Sequence, residues 1–596
     1  MFRPFALGLI LAWALSAQPA GQIPPKNDPL IDVLVSKGIL TPADLLELNK
    51  PGVGLAELLY KKGILTAEEY QEATGTHAVN ASFTTPAVPP PSAIAPAAVN
   101  NSSVAVVPKA PLLPASTPIR VLQVDPIKRD GLIPDLKLGT GAKLKVYGTI
   151  KATGVYDSSS PSGTDMPLPY MNGDTGPDVD PEFHLKARAM RLGTQFEWLD
   201  LSPNTALTGR FETDFEGNFT RTLNRNISTL RSSQMSLRLA YARLDHNFSN
   251  KNSMFVLAGQ DWTPFGSSTL PNLLETTGLG LGYGTLYERA PQIRTGWIHT
   301  VGGSRNLKFL SEFALTVPAF GNTPSNVADQ LGYGERQGAD SGRPEVQGRI
   351  VTEWQLDKAP GVVPAQFIVS FVQAKRTADV TAASVPAAFR AAFPNGAQVS
   401  SGRYGYTAEL QLPTRVLTWT GKYYNGEDLR FYFAGGLYSN FNDACGLTGQ
   451  VSAPSIDGAS TVIFGYKNGV PVIAPERAVR TQGFMTDVTL PISRWFNVNP
   501  VSRAAGWSAN LHYSIDMVPA RDARRMSGVR GKSDLAAVTV FYKLNSLVSF
   551  GFEESMYRTR AANSSPGDPG GLFILRGIPA REWHDIRTEF GPIFTF

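Results

Sequence analysis

The sequence predicts an all-β fold: a transmembrane antiparallel β-barrel of about 16 strands over residues 143–596, preceded by a small α-helical module and a Pro/Ala-rich linker. Three observations predict it. From Lys143 onward, segments of roughly ten to fifteen residues alternate apolar and polar side chains, as a strand with two unlike faces does. The connections between them alternate long and short, a bias that membrane barrels have and soluble sandwiches lack. The composition agrees: charged residues are 18% of the chain, aromatics 10%, and glycines number 56. Mean hydropathy is only −0.11, and no apolar run after residue 22 is long enough for a transmembrane helix. A membrane form of this chain must then be a closed barrel, because lipid tolerates no unpaired backbone group.

The elements follow in chain order. Residues 1–20 read as a secretory signal peptide: Arg3 is the positive start, Phe5 to Leu15 the apolar run, and Ala17 or Ala20 the cleavage position. Residues 21–77 contain a repeat, LIDVLVSKGILTPADLLEL from Leu30 and LAELLYKKGILTAEEYQEA from Leu55. In each copy Gly38 or Gly63 ends a short helix, and Thr41 or Thr66 caps the next, with Asp44 or Glu69 completing a capping box. Helices this short must pack on each other or on another chain. A small oligomerisation module is the plainer reading, and a periplasmic contact with peptidoglycan the sharper one. Residues 78–142 are Pro/Ala-rich, an extended spacer with little to bury.

Candidate strands lie at 143–157, 182–198, 205–219, 234–248, 252–263, 290–301, 306–317, 345–356, 364–377, 403–412, 415–425, 479–490, 506–517, 534–543, 546–559 and 583–596. Alternation is weak in Val479–Leu490 and Asp534–Lys543, and Pro491–Ala505 is long where a short turn is due. The last segment ends in an aromatic residue. Its Glu589, Gly591, Phe594 and Phe596 match a polar-x-Gly-x-x-apolar-x-aromatic ending similar to the assembly signal that the barrel-assembly machinery reads. Pro592 is unexpected there, since it removes a ladder donor.

The segments VYGTIKATGVYDS, ARAMRLGTQFEW, GRFETDFEGNF, LRLAYARLDH, LAGQDWTPFG and RAPQIRTGW occur in an order that resembles the trimeric DcaP-like porins of Gram-negative bacteria, and more distantly the phosphate-selective porins. The resemblance covers residues 143–300 best. It implies 16 strands, a homotrimer, a periplasmic helical segment before the barrel, and a third long loop, Pro264–Arg289, that folds inward and narrows the pore. The KGILT repeat departs from the heptad coil of such porins.

A barrel of this size leaves an aqueous lumen, and charges at its narrowest point set selectivity. Strand parity turns Lys151, Lys186, Arg188, Arg210, Arg238, Arg294 and Arg349 inward, joined by Arg191 if Met190 marks a bulge. The inward acids include Glu212, Asp214, Glu353 and Glu409. Most of these cations fall on the first eight strands, the wall expected to face the third loop. Net charge is +5, and residues 143–596 hold the whole excess, mostly as arginine. Guanidinium groups stay charged and offer paired donors to carboxylate or phosphate oxygens. The expectation is therefore a porin in the outer membrane of a Gram-negative bacterium, surrounded by its lipid, passing small hydrophilic solutes with a preference for anions. The alternative is a structural anchor that grips peptidoglycan through the helical module.

Other classes find little support. The single cysteine, Cys445, excludes a disulfide framework and a thiolate zinc cluster. His512 and Ser514 share a strand face near Asp516, but no nucleophile signature surrounds them, so no enzyme is expected. Asp178 and Asp180 read as solvated loop acids rather than metal ligands, and no cofactor is implied. A nucleic-acid role does not fit a modest charge that alternates in sign.

Overall fold

The computed structural model describes residues 133–596 apart from 140, 160, 162–180, 188–189, 216–234, 267, 275–282, 318–341, 360–361, 430–431, 433–443, 445, 454–461, 497–505, 524–529, 546, 562–572, 576–577 and 581. The signal peptide, the KGILT module with its peptidoglycan contact, most of the linker, Asp178, Asp180, Arg188 and Cys445 lie outside the described residues.

Sixteen barrel strands run through the described residues. They are β1 (Ala142–Lys151, continued as Thr153–Asp157), β2 (Glu182–Lys186, continued as Arg191–Ser202), β3 (Thr205–Asp214), β4 (Ser236–Asn247), β5 (Asn252–Trp262), β6 (Arg289–Gly302), β7 (Leu307–Thr316) and β8 (Glu345–Trp354). The second half comprises β9 (Ala365–Val380), β10 (Ala397–Pro413), β11 (Thr418–Glu427), β12 (Arg480–Leu490), β13 (Gly506–Met517), β14 (Arg530–Lys543), β15 (Val548–Ala561) and β16 (Glu582–Thr595). Each pairs antiparallel with the next, and β16 closes the sheet on β1, with Thr595 opposite Thr149 and Phe590 opposite Gly154. Every segment read from alternation coincides with one of these strands.

The faces are inverted relative to a soluble protein. Lys151, Glu212, Arg294, Arg349, Glu409 and Asp516 are buried inside, while Phe211, Ile293, Ile350, Phe371, Leu511 and Phe590 are exposed outside. An apolar exterior around a charged interior suits a cylinder bathed in lipid. No described helix is long and apolar enough to cross a membrane.

Pro592 finds its explanation at the closure. It stands opposite Ala152, the residue at which β1 leaves the ladder, and there it has no N–H to donate. Beside it, a Cβ on Gly591 would lie 2.2 Å from the Ala152 carbonyl oxygen, so only glycine lets the two strands approach. Two bonds then lock the seam, Gly148 N–H to Phe596 O and Phe596 N–H to Gly148 O, each 3.0 Å. Replacing Gly591 by alanine is expected to destabilise the closed barrel by about 1–3 kcal/mol through overpacking. The measurement is the temperature at which the folded band disappears on unheated-versus-heated SDS gels. An unchanged midpoint would show that the seam tolerates a methyl group.

The β2 strand carries a bulge. Thr153 pairs with Lys186, but Thr149 pairs with Arg191, so one extra residue sits in β2 between them. Both Lys186 and Arg191 therefore face inward despite their odd spacing.

Two connections depart from the sequence reading. The long turn after β12 opens with a short helix, Ile492–Trp495, whose Ser493 Oγ accepts from Trp507 N–H (2.6 Å) and whose Trp495 Nε1 donates to Val416 O (2.7 Å). Extra chain is thus folded over the neighbouring turn. On the opposite rim, residues 378–402 are not simply a loop. The β9 and β10 strands run on to Val380 and from Ala397, and Val380, Val385, Phe389 and Val399 pack against Val462 and Phe464. Those last two belong to a three-stranded sheet (Thr448–Ala453, Val462–Lys467, Val470–Pro475) inside the connection after β11. Alternation in AQVSSGR is poor, and packing between two connections decides the structure instead.

At the turn rim Asp357 accepts from Arg415 Nη2 (2.8 Å), Arg415 N–H (2.8 Å) and Ala359 N–H (2.9 Å). The Arg415 guanidinium holds its carboxyl well below the usual carboxylate range.

Candidate functional site: a lumen divided by the third loop

The connection between β5 and β6 enters the barrel. Its Phe265, Leu273, Leu274, Tyr283, Leu286 and Tyr287 are buried among inward side chains. An irregular segment in such a place must have its backbone groups satisfied. Here the wall does this strand by strand. Phe265 N–H donates to Gln347 Oε1 on β8 (2.8 Å), and Gly266 N–H to Ser370 Oγ on β9 (3.2 Å). Asn272 N–H donates to Asp487 on β12 (2.6 Å), Leu274 N–H to Glu553 on β15 (2.6 Å), and Gly284 N–H to Asp516 on β13 (3.0 Å). The carbonyls are held by lysines: Lys151 donates to Leu274 O (2.5 Å), and Lys422 to Leu286 O (3.2 Å) and to Gly266 O.

Apolar contacts follow the same path. Leu273 and Tyr283 pack on Leu535, Ala537 and Tyr557; Leu274 packs on Phe541 and Ile593. This accounts for the weak alternation of β14: its inward Leu535, Ala537 and Phe541 face the loop rather than water.

The loop thus leans on the wall from β8 round to β15 and β1, and its Leu270 and Tyr287 also pack on Leu239 of β4. Of the cations that the sequence places on the first eight strands, Lys151 and Arg349 bond the loop directly. Most of the cations read as inward are buried in ion pairs. Arg238 bonds Glu212 (2.8 Å) and Asp214 (2.6 Å). Arg294 bonds Asp261 (2.7 Å), and Arg349 bonds Glu312 and Ser268 Oγ (2.6 Å). Lys151 and Lys186 share Glu589 at 3.0 and 2.9 Å. Among the acids, Glu409 accepts from Thr407 Oγ1 (3.3 Å), and Glu353 bonds Lys308 (3.3 Å) and Gln366 Nε2 (3.1 Å). Sequence reasoning missed Asp261, Glu312, Asp487, Asp516, Glu553 and Glu589 as partners. Each sits at an inward position, so parity could have found them.

Among the described residues, inward side chains that water still reaches include a patch on β1–β3, besides Lys308 and Glu353 on β7 and β8. The side chains of Lys145 and Glu197, 3.0 Å apart, are 22% and 17% exposed, and that of Arg191 is 20% exposed. Tyr147 Oη donates to Glu212 (2.8 Å), while Arg210 donates to Gln195 Oε1 (3.3 Å) and stands 5.6 Å from the centre of the Tyr147 ring. Arg191, Arg210 and Tyr147 thus gather on one patch, next to the nearly buried Glu212. A closed antiparallel sheet with this charged interior and apolar exterior is a β-barrel of the membrane-spanning type.

His512 Nε2 lies 2.8 Å from Ser514 Oγ, with Asp487 Oδ2 3.9 Å from Nδ1. Ser514 is fully buried and Asp487 is bonded to the loop.

No protein-family model matches the sequence, and no curated protein matches it. Among solved structures, the chain is similar to the outer membrane channel DcaP of Acinetobacter baumannii, at 13% identity and a TM-score of 0.47, over 78% of this chain and 100% of that one. It is similar to an anion-selective porin from Comamonas acidovorans at 12% and 0.39, over 76% and 100%. A third likeness is to Salmonella typhi OmpF, at 10% and 0.37, over 78% and 100%. The strand ladder, and not these values, establishes the barrel.

Proposed function

We propose that this chain is a porin of a Gram-negative outer membrane: a passive diffusion channel for small hydrophilic solutes that favours anions. The observation that carries the reading is the division of the lumen. The third loop covers one wall, and the wall left to water presents Lys145, Arg191 and Arg210 against Glu197, with Glu212 already shared between Arg238, Arg191 and Tyr147. A solute there meets a net positive surface whose guanidinium groups can stand in for part of an anion's hydration. Reversal potentials of the reconstituted channel in a salt gradient test this; a cation-selective pore ends it. Gly591, Phe594 and Phe596 fit the same reading as the ending by which the barrel is delivered to the membrane.

A homotrimer is part of the proposal, and one outward residue supports it. Glu554 on β15 is exposed on the outer face, with Phe552 and Met556 on either side along the strand. Val538 and Thr588 stand across from it, and Thr588 Oγ1 donates to it at 2.7 Å. A carboxylate at lipid depth is costly, of the order of 2 kcal/mol. A neighbouring subunit on this face removes that cost. Glu554→Leu is expected to lower the trimer fraction in native mass spectrometry. If oligomers persist and the barrel gains thermal stability, Glu554 faces lipid and the subunit contact lies elsewhere.

A further inference from the structure

We propose that the loop-side ends of β1 and β2 form a binding site for one divalent transition-metal ion of the zinc class, on Asp157, Glu182 and His184. Asp157 closes β1, and Glu182 and His184 open β2. The register sets Asp157 opposite Glu182 and Val155 opposite His184. Two residues apart on one strand and paired on the next, the three side chains project from the same face of the sheet. Their candidate ligand atoms all lie within 4.8 Å of one another. One imidazole nitrogen with carboxylate oxygens is a donor set for zinc or a neighbouring first-row ion rather than for calcium or magnesium.

A second, independent observation comes from β16. Asp585 is fully buried, and its Oδ1 accepts from Ser158 Oγ (3.2 Å), Ser159 N–H (3.0 Å) and Ser159 Oγ (2.8 Å). Its Oδ2 receives no hydrogen bond from a described group, and its carboxyl lies against that of Asp157. Arg587 bonds Asp157 at 2.6 and 3.0 Å. Asp157 thus stands between Asp585 on the β16 side and Glu182 on the β2 side. An ion on the Glu182 side would share Asp157 with Arg587.

The geometry leaves room for it. Arg587 fixes Asp157, whereas Glu182 and His184 are half-buried and can adjust. Zinc bonds of about 2.0–2.2 Å bring neighbouring ligand atoms to roughly 3.4 Å, a closure of about 1 Å. The ion would clamp β1 to β2 on the loop side of the bulge, where the β2 ladder is interrupted.

The test uses the full chain in detergent, stripped with EDTA and titrated with Zn2+ alone by calorimetry, with the metal content measured after gel filtration. One Zn2+ per chain is expected, with binding weakened about tenfold or more in His184→Ala and in Glu182→Gln. The heat-modifiable band on SDS gels reports that each variant remains a folded barrel, and His246→Ala, outside the site, is expected to bind as the parent does. Absence of Zn2+ binding overturns the proposal. Binding that survives His184→Ala unchanged overturns it as well.

Discussion

Replacing Arg191 and Arg210 together by glutamine lowers the anion-to-cation permeability ratio of the channel several-fold, and replacing both by glutamate reverses its sign. These two side chains share the patch that the third loop leaves to water, and neither is locked in a fully buried pair. At about 7 Å in water, one unit charge changes the energy of a passing ion by roughly 0.6 kcal/mol, close to RT. Removing two charges then shifts an anion and a cation by about 1.2 kcal/mol each in opposite directions, an unscreened bound of roughly fiftyfold on the ratio that counter-ions reduce to several-fold. Glu212 keeps Arg238 as its partner in the glutamine variant, so that wall stays satisfied. The measurement is the reversal potential in a tenfold KCl gradient at low ionic strength. It is repeated near 1 M salt, where screening within about 3 Å should flatten the difference. A ratio unchanged by the double substitution places the selective point elsewhere. The control is Arg294→Gln, a cation fully buried in its pair with Asp261, which should alter stability more than selectivity.

That contrast between Arg191 and Arg294 marks the limit of what the sequence discloses. Alternation fixes which way a side chain points, and it does so because lipid and water impose opposite demands on the two faces of each strand. Most of the sixteen strands are legible on that basis. Alternation is blind to what covers an inward residue. Arg294 and Arg210 read alike in one dimension, yet one is sealed against Asp261 and Trp262 while the other reaches water. For Arg349 the cover includes Ser268 of the third loop, whose path depends on acceptors scattered over strands hundreds of residues away, such as Asp487 and Glu553. The same long-range dependence hides β14, whose inward leucine and phenylalanine look like a failed pattern until Leu273 and Leu274 lie against them. Pro592 was legible as an anomaly, but its resolution needed the identity of the residue facing it across the closure.

Excising the third loop should widen the channel more than any single substitution. Trp262 and Arg289 are directly paired across β5 and β6, so a linker of about five residues can join the strands as an ordinary turn. Removing residues 264–287 leaves Asp487, Asp516, Glu553 and Lys422 without the backbone groups they now hold. Those side chains are charged and would face water, where they are solvated, so the strand ladder should survive. Leu535, Phe541 and Tyr557 would also become wet, at about 25 cal/mol per Å2 of apolar surface exposed, and the melting temperature should fall. With the interior cleared, a barrel of this strand number carries an aqueous channel along its full bore. Single-channel conductance in 1 M KCl is therefore expected to rise several-fold, with weaker discrimination between ions because the wall charges stand farther from the solute. A milder variant, Asp487→Ala with Glu553→Ala, removes two staples while keeping the loop; it should give flickering between the parental level and a higher one. If both variants conduct as the parent does, the loop does not bound the permeation path, and the patch of Arg191 and Arg210 loses its place as the selective point.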